Sequence, residues 1–344
     1  MNITMEDIAR ECGVTKMTVS RVLAGRNGVK PATRDKIMAV ANRLNYEVNA
    51  LARNFNSNRS GFIGIATPFD GLLGSTYFEQ LFMGFRRALK DTGLDYALFD
   101  TNSAPFNDGE KLRRLYRQKR VDGLLIIALH TTDRFLGTLE ELRTPMVVVG
   151  EQPECPTVCS VSCNDEHGID LACRHLFSLG HRRIAFVEGP RDFATADRRR
   201  AAYVKFCRDH QLENPPIYTQ PGDFTVRSGR DAGRALLHAK PRPTAVVAAN
   251  DRMAFGVIDT ARELNLSVPN DISVAGFDDL RSAADRHPSL TTVHQPVIEM
   301  GELSARTLLE SINNNGIPSG QTVMEVSLAV RESTAPPPSE SASI

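Results

Sequence analysis

The 344-residue chain contains no tryptophan, and aromatic residues make up only 6% of it. No segment approaches the roughly 18 consecutive apolar residues that a membrane-spanning helix needs. The first residues also lack the apolar stretch of a secretory signal, so a soluble, cytoplasmic protein with no membrane association is expected. Cysteine is scarce, with six residues. Cys155, Cys159 and Cys163 are evenly spaced, but the intervening Pro-Thr-Val and Ser-Val-Ser favour extended backbone. No Cys-x-x-Cys or His-x-x-x-His pair accompanies them, so no metal site is expected and the thiols read as ordinary reduced ones. Phosphate loops, the dinucleotide glycine fingerprint and the nucleophile elbow are all missing. His130, His167 and His294 stand isolated in sequence. Neither an enzyme nor a cofactor is expected. Net charge is absent as well, with 41 basic and 41 acidic residues. That balance hides an asymmetry: residues 1–60 carry 10 Lys and Arg against 5 Asp and Glu, and the remainder carries 31 against 36. A basic head on an acidic body points to a nucleic-acid partner, with salt-dependent binding.

What is present starts at the N-terminus. Thr4 stands where a helix N-cap would, with Asp7 in the position of the capping-box acid. Ile8, Ala9 and Cys12 make one apolar face, and Gly13 supplies a left-handed stop. Thr15 caps a second helix in which Val19, Val22 and Leu23 turn inward. Lys16, Met17, Thr18, Ser20 and Arg21 are left outward. Two short helices joined by a tight turn place the second one in a DNA major groove. A third helix, from about Pro31 to Leu44, closes a small three-helix core. Asn49 caps a short helical segment reaching Phe55, too short to be stable alone. A polar connector, Asn56 to Gly61, follows it.

Beyond Phe62 the pattern becomes α/β. Strands are predicted at Phe62–Thr67, Tyr96–Asp100, Gly123–Ala128, Met146–Val149, Ile184–Glu188, Ala245–Ala248 and Ile272–Phe277. They alternate with helices near Phe78–Thr92, Gly168–Leu179, Arg199–His210 and Arg252–Leu264. Such alternation implies parallel sheets covered on both faces, and the number of strands suggests two similar lobes. The proline- and serine-rich end, 336–344, reads as a disordered tail.

TMEDIARECGV, TVSRVL, LNY, NALAR, VDGLLI, HLFSLGHRRIAFVEGP, the long segment from AVVAAND to VAGFDD, and PSLTTVHQP occur in an order and spacing that is highly specific. By these stretches the chain resembles the lactose-repressor-type (LacI/GalR) bacterial transcription regulators over essentially its full length. The resemblance implies a helix-turn-helix head (1–46), a hinge helix and linker (47–60), and a core like periplasmic binding proteins (61–335). The first lobe is expected at about 61–160 and 294–321, the second at about 161–290 and 322–335. It also implies a homodimer on a palindromic operator of double-stranded DNA. Lys16, Met17 and Arg21 match base-reading positions; Thr4, Thr18 and Ser20 match the remaining DNA-contacting positions, Thr18 and Ser20 mainly on phosphate. Arg21 is the leading base reader, because an arginine fork fits the paired acceptors of guanine, with a phosphate contact as its alternative. Asn49, Leu51, Ala52 and Phe55 fall in the hinge. Phe55 stands where the family usually has leucine, as a minor-groove wedge. Its alternative is packing on the core or the partner hinge. Val48 replaces the family's usual proline, so a rigid stop before the hinge is lost.

For the effector, the resemblance points to a site between the lobes, beyond the carboxyl ends of the strands. Arg199, Asn250 and Asp278 match ligand contacts there, and Phe224 falls where an aromatic ring stacks. Phe69 and Tyr77 occupy the first-lobe loop, and Gln295 follows a crossover strand, Thr291–His294. A carboxylate and an arginine fork suit vicinal hydroxyls or a planar acid, and an aromatic ring covers a sugar's apolar face. Asp278 has an alternative reading as a helix cap for Asp279–Ala284, and Arg199 as a surface charge in the run Arg198–Arg200. The expected function is that of a repressor of carbohydrate or sugar-acid utilisation genes, controlled by a small-molecule effector that is a sugar or sugar acid. A purine-responsive regulator and a transport-system solute-binding module are the alternatives.

Overall fold

The computed structural model describes residues 3–23, 27–44, 46, 59–69, 73–101, 110–127, 141, 143–153, 157–191 and 193–338. The head begins with α1 (Met5–Cys12), whose N-terminus carries the full capping box of Thr4 and Asp7. Gly13 closes it at φ 68°, a left-handed conformation that an L side chain would strain. α2 (Lys16–Leu23) and α3 (Pro31–Arg43) complete the head, and Ile8, Val19 and Ile37 are its fully buried centre.

Among the described residues, the core holds two six-stranded sheets. The first contains β1 (Phe62–Thr67), β2 (Asp95–Asp100), β3 (Gly123–Ile127), β4 (Met146–Val149) and β5 (Ser160–Cys163). The second contains β6 (Ile184–Val187), β7 (Thr219–Gln220), β8 (Ala245–Ala248), β9 (Ser273–Asp278) and β10 (Thr291–His294). The chain then returns, adding β11 (Gln321–Met324) to the first sheet and β12 (Ser327–Ala329) to the second. The orders are β11-β5-β4-β3-β1-β2 and β12-β10-β9-β8-β6-β7. Every pairing is parallel except β10 with β12. β3, β4, β6 and β8 are uninterrupted apolar runs, and every residue in them is buried, as a sheet covered on both faces requires.

Helices cover the sheets: α4 (Thr76–Leu89), α5 (Glu110–Arg117), α6 (Asp165–Ser178), α7 (Ala194–Asp209), α8 (Val226–Leu237), α9 (Asp251–Glu263), α10 (Arg281–Asp285) and α11 (Val297–Asn313). Apart from α10, which falls within 279–285, α5, α8 and α11 have no counterpart among the helices expected from the pattern. In α11 the buried stripe includes Gly301, Ser304 and Ser311, and in α8 it includes Gly229 and Gly233. Small and polar residues on the buried side blur an apolar periodicity. Ser304 is satisfied internally, its hydroxyl donating to the Met300 carbonyl at 2.6 Å. The glycines permit close approach of backbones.

The lobe boundaries differ from those expected. Ser160 and Val161 pair with Val148 and Val149, so β5 belongs to the first sheet rather than opening the second lobe. Likewise Thr291–His294 pairs with β9 in the second sheet, and Gln321–Met324 pairs with β5 in the first. Each crossing therefore falls a few residues later than local composition indicates, because sheet membership is set by partners far away in sequence. At the C-terminal end, the Ala335 carbonyl is a partner of His181 Nε2 at 2.8 Å and accepts from the Ser273 hydroxyl at 3.0 Å. Of the expected tail, 339–344 lies outside the described residues.

In the first lobe α4 and α11 meet backbone to backbone. A Cβ on Gly84 would stand 2.0 Å from the Ile298 carbonyl oxygen, and one on Gly301 would stand 2.1 Å from that of Leu81. Backbone cannot swing aside as a flexible side chain can. Gly84→Ala should therefore cost about 2 kcal/mol or more by overpacking. Urea unfolding midpoints of the variant and the parent check this.

Candidate functional site

On α2 the split between faces follows the residue types. Val19 and Val22 are buried, while Met17 is 75% exposed beside exposed Lys16 and Arg21. Thr18 and Ser20 are half-buried. Packing of Met17 in the head's core is thereby ruled out. The Thr15 hydroxyl accepts from the Thr18 amide at 3.2 Å and lies 2.9 Å from the Thr18 hydroxyl. Thr4 uses its hydroxyl on Asp7, donating to Oδ2 at 2.7 Å. Lys16 is ion-paired with Glu6. Asn49, Leu51, Ala52 and Phe55 lie outside the described residues, as do Val48, His130 and Cys155.

A cleft open to solvent lies between the lobes, with about 930 Å³ of empty space when the solvent at its mouth is counted. It sits where strands of both sheets end: Ile127 closes β3, Val149 closes β4, and Asp278 closes β9. The first lobe contributes a largely apolar wall of Pro68, Tyr77, Ile127 and Val149. The second contributes Phe193, Arg199, Asp223, Phe224, Asn250 and Asp278, and Gln295 lies where the chain crosses back. Six of the seven expected residues thus line one cavity. Phe69 does not; its amide donates to Asp100 Oδ1 at 3.1 Å, and the residue sits half-buried. A loop without periodicity does not reveal which of its side chains faces the cleft.

Arg199 sits in the second turn of α7, because that helix starts at Ala194, earlier than expected. It is 5% exposed, which removes the surface-charge alternative. Nε donates to Asp165 Oδ1 at 2.7 Å, Nη1 to the Ala249 carbonyl at 2.6 Å, and Nη2 to Gln295 Oε1 at 3.4 Å. Asp278 Oδ1 lies 3.9 Å from Nη1, and the guanidinium stacks 3.6 Å over the Phe277 ring. Burial works against its charge, but Asp165 and Asp278 outweigh that and hold it protonated.

Asp278 is not a helix cap, since Leu280 takes that position for α10. It stands at φ 123° and Asp279 at φ 57°, an unfavourable pair for non-glycine residues. Asp251 holds this turn. It accepts the Leu280 amide at 2.8 Å and the Thr292 hydroxyl at 2.5 Å. Burial raises the Asp278 carboxyl to about 7 despite Arg199. Asn250 caps α9: its carbonyl oxygen accepts the Met253 amide at 2.9 Å, and its amide donates to the Phe224 carbonyl at 3.2 Å. The cap fixes both Asn250 and the backbone of Phe224, whose φ is 63°. The Phe224 ring meets Phe193 edge-on at 6.2 Å and lies against Gly189, where a Cβ would stand 2.5 Å from it.

Glu151, just beyond β4 in the first lobe, reaches across the cleft to the start of α7. It accepts the Thr195 amide at 3.0 Å and pairs with Arg198 at 3.3 Å. Arg198 also donates to Asp165 at 2.8 and 3.0 Å. Burial pushes the Glu151 carboxyl up to about 7, against the pull of Arg198. A glutamate directly beyond the carboxyl end of an apolar strand is a signal that could have found it.

Fold and cavity define a class: a helix-turn-helix head followed by a two-lobed receptor core with a ligand-sized cleft. Residues 4–49 match the bacterial regulatory proteins of the lacI family, and residues 173–334 match the periplasmic binding protein-like domain. The HTH-type transcriptional repressor PurR of Klebsiella pneumoniae (strain 342) is 34% identical over 341 residues, covering 97% of this chain and 98% of that protein. The ribose operon repressor of Escherichia coli (strain K12) is 35% identical over 312 residues, covering 90% of this chain and 93% of that one. The solved lac repressor dimer bound to operator and the anti-inducer ONPF superposes with a TM-score of 0.85 at 28% identity, covering 97% and 100% of the two chains. The chain belongs to the lacI family of bacterial regulatory proteins.

The Glu151 carboxyl predicts a pH effect. Its folded value of about 7 lies above its ordinary 4.5, so the native state holds the proton more tightly. The penalty for ionising it is absent below about pH 4.5 and grows until about pH 7, so its contribution to stability falls across that window. In Glu151→Gln the slope from this group vanishes. The stability of the parent minus that of the variant should decline from pH 5 to 7 and level off above. Urea titrations at several pH values check it, and a constant difference would contradict the assignment.

Proposed function

We propose that the protein is a ligand-controlled transcriptional repressor that reads a palindromic operator as a homodimer and governs carbohydrate-utilisation genes. One juxtaposition carries this reading. An α2 face of Lys16, Met17 and Arg21 turned to solvent accompanies an interlobe cavity holding Asp278, Arg199 and two phenylalanine rings. Lys16, Met17 and Arg21 read base edges, while Thr4, Thr18 and Ser20 place the head on the backbone. Asn49, Leu51, Ala52 and Phe55 engage the operator from the hinge, with Leu51, Ala52 and Phe55 in the minor groove and Phe55 as the wedge. The protein acts in the cytoplasm, where its DNA is, and carries out no catalysis. Among the described residues, no helix is long and apolar enough to cross a membrane.

Pairing of two copies is supported by exposed apolar side chains on the first lobe, Met83 of α4 with Tyr96 and Leu98 of the edge strand β2. Two heads on one symmetric dimer match two half-sites. A ligand that binds one lobe arrangement better shifts the population toward it, and the spacing of the heads follows.

The cavity favours a hydroxyl-bearing ring. The Asp278 carboxylate accepts from hydroxyls, Phe193 and Phe224 cover the apolar side, and Tyr77 with Ile127 closes from the other lobe. The Arg199 guanidinium already has two carboxyl partners, Asp165 and Asp278, which makes a sugar a better occupant than a sugar acid. The purine reading keeps one observation in its favour: the Phe224 ring beside the Asn250 amide suits a flat heteroaromatic base.

Thermal unfolding against matched panels of sugars, sugar acids and purines separates these. Sugars are expected to raise the midpoint by a few degrees at saturating concentration, and stabilisation by purines alone would reverse the assignment. Arg21→Ala should lose preference for the operator selected by the parent, by about 1–3 kcal/mol per half-site, while ligand stabilisation stays intact. Competition binding between the operator and a scrambled duplex measures this, and full retention of preference removes Arg21 from base reading.

A further inference from the structure

The stretch that leads from the head into the core is fastened at two adjacent points, neither of which touches the cavity. Asp122, 8% exposed at the start of β3, accepts the Ser60 amide at 2.6 Å and the Gly61 amide at 2.8 Å. One residue earlier, Arg59 spreads its guanidinium over the last turn of α11. Nη2 donates to the Ile312 carbonyl at 2.7 Å, and Nη1 to Asn313 Oδ1 at 3.1 Å. A cation on the terminal carbonyls of a helix is favoured both by the hydrogen bonds and by the helix dipole.

α11 has its other end at the cavity. Its first residue, Val297, follows Gln295, which lines the cavity and accepts from Arg199. The helix is 17 residues long, so its ends stand about 25 Å apart. It is locked to α4 at Gly84 and Gly301, and α4 begins beside Ser75 and Tyr77, which also line the cavity. Toward its end, Leu308 and Ile312 press on Gly123, where a Cβ would stand 2.9 and 3.0 Å from their methyl carbons. Gly123 adjoins Asp122. The Val-Asp-Gly stretch at 121–123 thus gathers the linker, β3 and the far end of α11 at one place.

We propose that Arg59 and Asp122 are positioning residues that pass the state of the cavity to the DNA-reading head. α11 carries displacement of the cavity wall to Arg59, and Asp122 fixes where the linker leaves β3. This rests on reading the protein as a DNA-binding regulator. Neither residue contacts ligand or DNA in this scheme. Close packing favours transmission, because a helix seated on another backbone shifts as a unit rather than deforming.

The test uses the full chain and a duplex enriched from random sequence on the wild-type protein. Coupling is reciprocal, so duplex binding must alter the cavity end of α11 if the cavity alters duplex binding. Hydrogen–deuterium exchange at residues 291–300 is measured with and without the duplex. Wild-type protein is expected to exchange more slowly there when the duplex is bound. Arg59→Ala is expected to keep duplex affinity within about tenfold and to lose the change at 291–300, and Arg59→Lys to recover part of it. Asp122→Asn is expected to speed exchange at residues 60–62 by about tenfold. The proposal is overturned if Arg59→Ala retains the full wild-type difference. It is also overturned if that variant stops binding the duplex, which would make Arg59 a DNA contact. A wild-type chain that binds the duplex without any change at 291–300 overturns the coupling and leaves the regulator reading intact. A wild-type chain that enriches no duplex removes both.

Discussion

A charge buried at the base of the cleft constrains everything around it. The Arg199 guanidinium has left water, and isolated burial of such a charge would cost far more than a domain's net stability. It persists because Asp165, Asp278 and the Ala249 carbonyl surround it and the Phe277 ring lies beneath it. Those partners come from three places: the crossing after β5, the end of β9 and the end of β8. Holding one cation therefore fixes the crossing between lobes and two strand ends at once. Asp251 extends the constraint by pinning the turn that carries Asp278. The cavity floor is held in one arrangement by charges that need each other.

The two lobes contribute different chemistry. The wall from the first lobe is mostly apolar, and the floor from the second is charged and aromatic. A polar ligand would find its hydrogen bonds on the second lobe, and closure of the first would exclude water from them. Low local dielectric strengthens such bonds. Glu151 spans the cleft by joining the α7 N-terminus and Arg198, which ties the two lobes together at that point. Its raised carboxyl value reflects burial of that tie. The same first lobe carries the fastening of the linker at Asp122 and Arg59, so the apolar wall of the cavity and the anchor of the linker belong to one lobe.

Much of this was legible locally. The capping box of Thr4 and Asp7, the stop at Gly13 and the inward valines of α2 need only neighbours a turn away. The continuous apolar strands announced themselves by composition. Arg199, Phe224, Asn250, Asp278 and Gln295 were expected from family likeness, and all five line the cavity together with Tyr77. Phe69 was misplaced because nothing periodic orients a loop. Glu151, Thr195 and Arg198 were missed for another reason: their partnership joins residues 44 and 47 apart on different lobes. Local pattern carries no trace of such a pairing. The helices α8 and α11 escaped because glycine and serine on a buried face look like breakers until a second backbone is seen against them.

By itself the sequence determined the secondary structure of the head, the α/β alternation and the residue types available to a cleft, because those follow from interactions within a few residues. Only the tertiary structure decided which strand joins which sheet, where the lobes cross, and which charges neutralise one another, because these depend on groups brought together across the whole chain. Arg199 shows the division plainly. In the run Arg198–Arg200 three identical side chains have the same local chemistry, and the orientation of the helix in the fold leaves Arg199 buried, Arg198 half-buried and Arg200 exposed.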